Sequence, residues 1–391
     1  MCGFTGAFYF SDGEVISKNE LQSMLSAIVH RGPDSHGTFI SEKFLVAHCR
    51  LSILDVSEKG HQPMRSKDGN WVVAFNGCIY NFRELRSELV ELGHVFISEC
   101  DTEVLVEGIS AFGVDFFRKL NGMFSVAAWN ILESKLILAR DRYGIKPLYY
   151  WYNDRCIVFA SEVKGILAHP EFGKPKVDLN ALNEYFTFQN ILSSKTFFDG
   201  VSIFPPGSTA TITRECSKME PQTWWDFNFG GSCRDMDFES CKKETRKLFE
   251  QAVDRQLVID PKLQIGTFLS GGMDSGSITS RASRLTKNLY SFTCGFNMSG
   301  VSGREACFDE RKDAEELNNC FENRHIQQVL TPSDLRRSLP RLVHHLEDLR
   351  LGMSYSNLCI DQTVSKFVKV CLSGAGGDGN RFFMFTLFLD F

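Results

Sequence analysis

The 391-residue chain has no Cys-x-x-Cys pair and no histidine ladder at zinc spacing, although it carries thirteen cysteines and nine histidines. That excludes the usual zinc frameworks, and the thiols read as reduced. A basic run is absent too, and the net charge of -5 argues against a binder of phosphate backbones. No stretch approaches the roughly 20 apolar residues of a spanning helix, and the start has neither a basic nor an apolar leader region. These absences predict a cytoplasmic protein without a nucleic-acid or membrane partner. At this length two domains of ordinary size are expected.

What is present begins at Met1-Cys2-Gly3-Phe4-Thr5-Gly6. Removal of Met1 leaves Cys2 with both a thiol and a free α-amine, which ordinarily titrates near ~8. A neutral amine beside its own sulfur can take the thiol proton and release a thiolate, the form that attacks a carbonyl. The bland alternative is a small residue behind a start codon. Gly3 and Gly6 give backbone room, and Phe4 to Phe10 read as a strand that anchors the residue.

The spacing predicts a helix over 19–29, a Gly-Pro-Asp loop at 30–34, and strands over 44–48 and 71–75. Asn76-Gly77 then reads as a turn dipeptide at a strand end. An amphipathic helix follows over 81–92, a helix opened by Asp101, and strands over 120–129 and 135–139. Strands with helices between them suggest a layered sheet sandwich. Each polar candidate has a second reading: Arg50 as a partner of Asp55, Asp101 as a helix N-cap, Asn76-Gly77 as a hairpin turn.

Taken together, Met1-Cys2-Gly3, His30-Arg31-Gly32-Pro33-Asp34, Arg50-Leu51-Ser52-Ile53, Gln62-Pro63-Met64, Asn76-Gly77, Asp101-Thr102-Glu103 and Arg140-Asp141-Arg142 resemble the class II glutamine amidotransferases, in the branch of the glutamine-hydrolysing asparagine synthetases. The resemblance implies an α+β N-terminal-nucleophile domain, a four-layer αββα sandwich over 1–205, with Cys2 attacking the glutamine side-chain amide. It implies an oxyanion hole from Asn76 and the Gly77 amide, and glutamine contacts from Arg50, Leu51, Ile53, Asn76, Gly77 and Asp101. Arg50 is to hold the carboxylate and Asp101 the ammonium, roles their charges suit. One departure is Cys78, where the family usually has glutamate; if that residue orients glutamine through its backbone the loss is mild, whereas if its carboxylate contacts the ammonium, glutamine affinity should fall.

Residues 206–236 read as a connection, with a joint at Phe229-Gly230-Gly231-Ser232-Cys233 and Trp224 and Trp225 packing at a domain interface. The second domain, 237–391, opens with a helix over 237–257 and a strand over 263–269. Ser270-Gly271-Gly272-Met273-Asp274-Ser275 and a helix over 276–285 follow. A serine- and glycine-rich loop at a helix N-terminus is an anion cradle. It lacks the Walker lysine and resembles the pyrophosphate loop of ATP pyrophosphatases. Alternating strands and helices beyond it predict a partial α/β, doubly wound parallel sheet.

By the same resemblance Leu269, Ser270, Gly271, Gly272, Asp274, Ser275, Cys294, Ser373 and Gly374 contact ATP, and Asp274 and Asp378 hold Mg2+, a hard cation suited to carboxylates. Substrates are glutamine, ATP and an acceptor, aspartate by family; a homodimer is admitted. Ala375 replaces the family acid, and alanine can neither take nor orient a proton. After Asp378 the match stops, and residues 382–391 read as an abrupt ending. On this reading the synthetase half is incomplete, binds ATP weakly and leaves glutamine hydrolysis uncoupled; a glutamine- or nucleotide-binding remnant is the alternative.

Overall fold

The computed structural model describes residues 1–10, 15–215, 218–228, 237–299, 309–349 and 354–375, and the backbone of 386–388. The expected joint at 229–233, Asp378 and most of the tail lie outside the described residues. The chain divides into two compact units, Met1–Phe229 and Gly230–Phe391. No described helix is long and apolar enough to cross a membrane.

In unit 1 the strands are β1 (Gly3–Tyr9), β2 (Ser35–Ile40), β3 (Phe44–Arg50), β4 (Met64–Arg65), β5 (Trp71–Ile79), β6 (Gly122–Asn130), β7 (Lys135–Arg140), β8 (Tyr149–Tyr152), β9 (Cys156–Ala160), β10 (Ser202–Ile203), β11 (Ser208–Ile212) and β12 (Gln222–Thr223). Its helices are α1 (Lys18–Ala27), α2 (Phe82–Glu91), α3 (Asp101–Phe112), α4 (Phe116–Lys119), α5 (Val163–Leu167) and α6 (Leu179–Phe188). The strands form two antiparallel sheets, ordered β10-β8-β9-β1-β3-β2 and β12-β11-β7-β6-β5-β4.

Alternation puts Phe4, Phe8, Phe44 and Val46 of the first sheet against Val72, Ala74, Ala127, Trp129, Leu136 and Leu138 of the second. The other face of the first sheet (Ala7, Tyr9, Leu45, Ala47) takes Leu21, Met24 and Leu25 of α1 and Val163 and Ile166 of α5. Helix α3 packs on β5, with α2 beside it. The result is the four-layer αββα sandwich, in which β1 is buried along its whole length.

One expectation is corrected here. Strand β5 does not end at Phe75; it runs through Asn76 and Gly77 to Ile79, paired throughout with β6. Gly77 makes no left-handed turn. A Cβ there would lie 2.2 Å from the Met123 carbonyl oxygen, so glycine serves close strand approach. Trp224 stacks on Phe124 of β6 at 6.3 Å, and Trp225 lies edge-on to Tyr143 at 5.0 Å.

Unit 2 contains α7 (Phe238–Gln256), β13 (Ile265–Phe268), α8 (Met273–Leu285), β14 (Tyr290–Phe296), α9 (Arg311–Phe321), β15 (Arg324–Leu330), α10 (Pro332–Leu346), α11 (Ser354–Val364), β16 (Val370–Leu372) and β17 (Thr386–Phe388). Its sheet order is β15-β14-β13-β16-β17, parallel except for β17. Thr386–Phe388, within the segment read as an abrupt ending, pairs antiparallel with Val370–Leu372.

Candidate functional site

Because β1 and β3 pair with Gly3 opposite Cys49 and Phe4 opposite His48, Cys2 falls at the end of the layer between the sheets. The half-buried Cys2 is fixed from both sides. The Leu51 amide donates to Cys2 Sγ at 3.3 Å, and Arg31 Nε donates to the Cys2 carbonyl oxygen at 3.0 Å. Arg31 is itself tied to Glu162 at 2.9 Å, which His30 approaches at 3.0 Å and Lys164 also meets. Burial alone would raise the Glu162 carboxyl, but His30, Arg31 and Lys164 outweigh it and hold it well below the carboxylate range. Gly32 permits this, since a Cβ would lie 2.2 Å from the Cys49 carbonyl carbon.

Asn76 enters the same layer from β5, two residues beyond Ala74 on one face. It is completely buried, and among the described residues neither Asn76 Nδ2 nor Oδ1 has a hydrogen-bond partner. Ser125, opposite it in register, has an equally unpartnered Oγ. His48 is buried beside them; its Nε2–H donates to the Phe75 carbonyl at 3.1 Å, and burial drives its pKa down to about 3, so the ring is neutral. Unpaired buried polar groups cost stability, and such a cluster calls for an explanation that folding alone does not supply.

Asp101 corrects a second expectation. It is the first residue of α3, after Cys100 at the N-cap. Its Oδ2 instead accepts the Ile79 amide at 2.9 Å and so faces the end of β5. Burial raises its pKa to about 6, against the Ile79 amide, the first helical amides and Arg50.

Arg50 is buried, but its donors turn onto a loop: Nη1 to Ser57 O at 2.8 Å and Nη2 to Asp55 O. Its contact with Asp55 is therefore through a backbone carbonyl. Gly60 lies under the guanidinium, where a Cβ would come within 2.0 Å of Nη2. Leu51 and Ile53 flank the site as half-buried residues. Burial pushes the Cys2 thiol up, opposed by the N-terminal charge, the Leu51 amide and Arg50, with Asp101 adding to the rise. Cys78 is buried nearby: burial and then Asp101 raise its thiol while Lys146 opposes, and Cys2 also acts on it. Cys2, Arg50, Asp101, Cys78 and Lys146 thus share one electrostatic neighbourhood.

Sequence reasoning missed Glu162, Asp141 and Lys146. Asp141 lay within a quoted motif, and its carboxylate accepts amides of Phe124, Tyr143, Ile145 and Lys146 at 3.0–3.1 Å. Lys146 carries no pattern of its own.

In unit 2 the helix starts earlier than expected, at Met273, so Met273 to Ser275 form the first turn of α8 rather than loop. Ser270 Oγ accepts the Gly272 amide at 3.1 Å, and Ser275 Oγ the Ser270 amide at 3.0 Å. Leu269 donates to Phe292 O, and Thr293 Oγ1 donates to Leu269 O, at 2.8 and 2.6 Å; Cys294 follows, half-buried. Gly374 comes against this loop: a Cβ there would lie 2.9 Å from the Ser275 nitrogen. Ser373 is buried, and its Oγ accepts the Ala375 amide at 3.1 Å. Both loops leave the carboxyl ends of the adjacent parallel strands β13 and β16, where open α/β sheets bind ligands. Asp274 is half-buried in that first turn.

The sequence profile described as a glutamine amidotransferase domain matches residues 1–225, and that described as asparagine synthase matches residues 244–380. A glutamine-hydrolysing asparagine synthetase of Bacillus subtilis is 35% identical over 381 residues, 97% of this chain and 58% of that protein. A second from the same organism is 32% identical over 397 residues, 97% of this chain and 62% of its own length. The chain thus spans about three-fifths of these relatives. A solved glutamine phosphoribosylpyrophosphate amidotransferase of B. subtilis covers 87% of this chain and 93% of its own at 14% identity, with a TM-score of 0.45. With the amidotransferase profile over more than half of the chain and the synthase profile after it, the chain belongs to the glutamine-hydrolysing asparagine synthetase family.

Proposed function

We propose that unit 1 hydrolyses glutamine at Cys2 and that unit 2 activates a carboxylate with ATP to receive the ammonia. The observation that carries the first half is Asn76, a buried carboxamide without a partner on the layer that Cys2 closes. Its Nδ2 and the Gly77 amide are the donors for the oxyanion that forms when sulfur adds to the amide carbon. Removing one such donor elsewhere costs about 2.7–4 kcal/mol. Asp101 takes the ammonium, Arg50 the carboxylate through its N–H groups not turned to Asp55 and Ser57, and Leu51 and Ile53 line the side chain. Loss of ammonia leaves a thioester at Cys2 that water hydrolyses.

For the second half, Leu269, Ser270, Gly271, Gly272, Asp274, Ser275, Cys294, Ser373 and Gly374 hold ATP at the strand ends. Asp274 is a hard oxygen donor suited to Mg2+ on the phosphates; its family partner Asp378 lies outside the described residues. Mg2+ would neutralise phosphate charge. Aspartate is the acceptor by the relatives' name, giving asparagine, AMP and pyrophosphate; Ala375, with no acid to offer, favours a different carboxylate as the second reading.

Mass spectrometry first establishes that Met1 is removed, and ammonia release from glutamine is then measured. Cys2→Ala should reduce release to background with the fold kept, and Asn76→Ala should reduce kcat roughly 100-fold. Undiminished release by Cys2→Ala would sink the reading. Pyrophosphate release that depends on aspartate, ATP and Mg2+ supports aspartate, whereas release with another carboxylate alone supports the second reading.

A further inference from the structure

The loop after β7 is built with unusual care for a connection that no proposed step uses. Arg140, buried, donates from Nε to Lys146 O at 2.8 Å, from Nη1 to Phe204 O at 2.5 Å and from Nη2 to Gly144 O at 2.6 Å. Asp141 gathers the loop amides and the Phe124 amide, and Phe124 is the residue paired with Gly77. The loop is thereby locked to the strand that presents Asn76. What it presents in turn is Lys146, 1% exposed, whose Nζ meets Met1 Sδ. A lysine is seldom buried so completely, and this one is carried to the N-terminal residue.

We propose that Lys146 is a positioning residue for the nucleophile: its ammonium, held at the N-terminus by the Arg140-to-Lys146 loop, keeps the α-amine of processed Cys2 unprotonated. The inference rests on the reading of Cys2 as the attacking group. Met1 directly precedes Cys2 and its side chain meets Nζ, so the ammonium sits in the surroundings of the amine that removal of Met1 exposes. A like charge there disfavours protonation of the amine. The free base then takes the proton from Sγ; the S–H bond breaks, an N–H bond forms, and the thiolate attacks. The same proton passes to the departing nitrogen, which leaves as ammonia.

The groups facing Cys2 fit this balance. Arg31 comes from the turn after α1 but is neutralised by Glu162. Arg50 and Cys49 come from β3, Cys78 from β5 and Asp101 from α3, while Lys146, from the loop after β7, acts on Cys78 and meets Met1. Burial opposes thiolate formation at Cys2, so an efficient internal base is needed. Asp101 would favour a protonated amine, and Lys146 is the added cation that counters it.

The test reads the amine apart from catalysis. In the full chain with Cys2→Ser, which keeps Met1 removal, competitive acetylation of the N-terminal peptide gives the amine pKa. It should lie below the ordinary value of about 8, rise by about one pH unit in Lys146→Met, and stay low in Lys146→Arg. With Cys2 intact, the acid limb of kcat/KM for glutamine should move up by the same amount in Lys146→Met. An amine at or above its ordinary value with Lys146 present, or equal values with lysine and methionine, overturns the proposal. The first outcome needs no variant at 146, and Lys146→Gln replaces Lys146→Met should that chain not fold. If Cys2→Ala still releases ammonia, the nucleophile reading fails instead, whatever the amine value.

Discussion

Asp101 carries a conflict between stability and recognition. Its folded carboxyl is raised to about 6 by burial, above the unfolded value of about 3.9, so the folded chain holds that proton more tightly. The stability it contributes is present below the unfolded value and is lost as pH rises through about 6. An ammonium, however, is recognised by the charged form. The expected kcat/KM for glutamine therefore shows, beside the limb set by the Cys2 amine, a further fall as pH drops through about 6, and Asp101→Asn should remove that further fall while leaving the limb of the amine. The variant can still accept the Ile79 amide through its carboxamide oxygen. Losing a charge-assisted bond costs about 1.5–3 kcal/mol, so KM should rise roughly 10- to 100-fold while the melting temperature near neutral pH is kept or raised. Equal loss of stability and affinity would assign Asp101 a structural role alone. The helical periodicity after Asp101 marked a helix start; which oxygen meets which amide depends on β5 lying beside it, a contact between residues far apart in the chain.

Strand β5 shows what a dipeptide signal leaves out. Asn-Gly is a strong turn pair when nothing competes, but here β6 offers partners to every residue from Trp71 to Ile79, and pairing overrides the local preference. The apolar alternation of 71–75 was legible; its continuation through two residues of turn chemistry was not, because the burial that sustains it comes from α3 and the facing sheet. Gly77→Ala tests the reassigned role. The added Cβ, 2.2 Å from Met123 O, must push β6 away, a strain of about 1–3 kcal/mol. Since Asn76 moves with the strand, glutamine hydrolysis should drop by more than the stability loss alone implies. A turn glycine would give another result: normal activity with a small change in melting temperature. The helix start at Met273 follows similar logic. The Ser-Gly-Gly signal located a loop between strand and helix, and only the hydroxyl bonds of Ser270 and Ser275 show where loop gives way to helix.

At the scale of the molecule, two cores of unlike kind lie in sequence. Unit 1 buries two apolar layers made from its own residues, one between the sheets and one under α1 and α5. Unit 2 centres on Phe292, Ile360, Val364, Val368 and Cys371 beneath a parallel sheet. The β-then-α rhythm of the second half made its parallel sheet legible, because crossover connections impose that order. The sandwich of the first half was legible as layers, but its strand order was not: β1 joins β3 and β9, pairings that short-range spacing does not encode. Every residue proposed to act on glutamine, from Cys2 to Lys146, belongs to unit 1. Among the described residues, every member of its two apolar layers belongs to unit 1. A fragment of residues 1–228 should therefore fold on its own, melt in a single cooperative transition, and release ammonia from glutamine with a kcat within a few-fold of the full chain. If the fragment folds, by circular dichroism and a cooperative melt, yet hydrolyses glutamine at background rate, residues beyond 228 must complete the site.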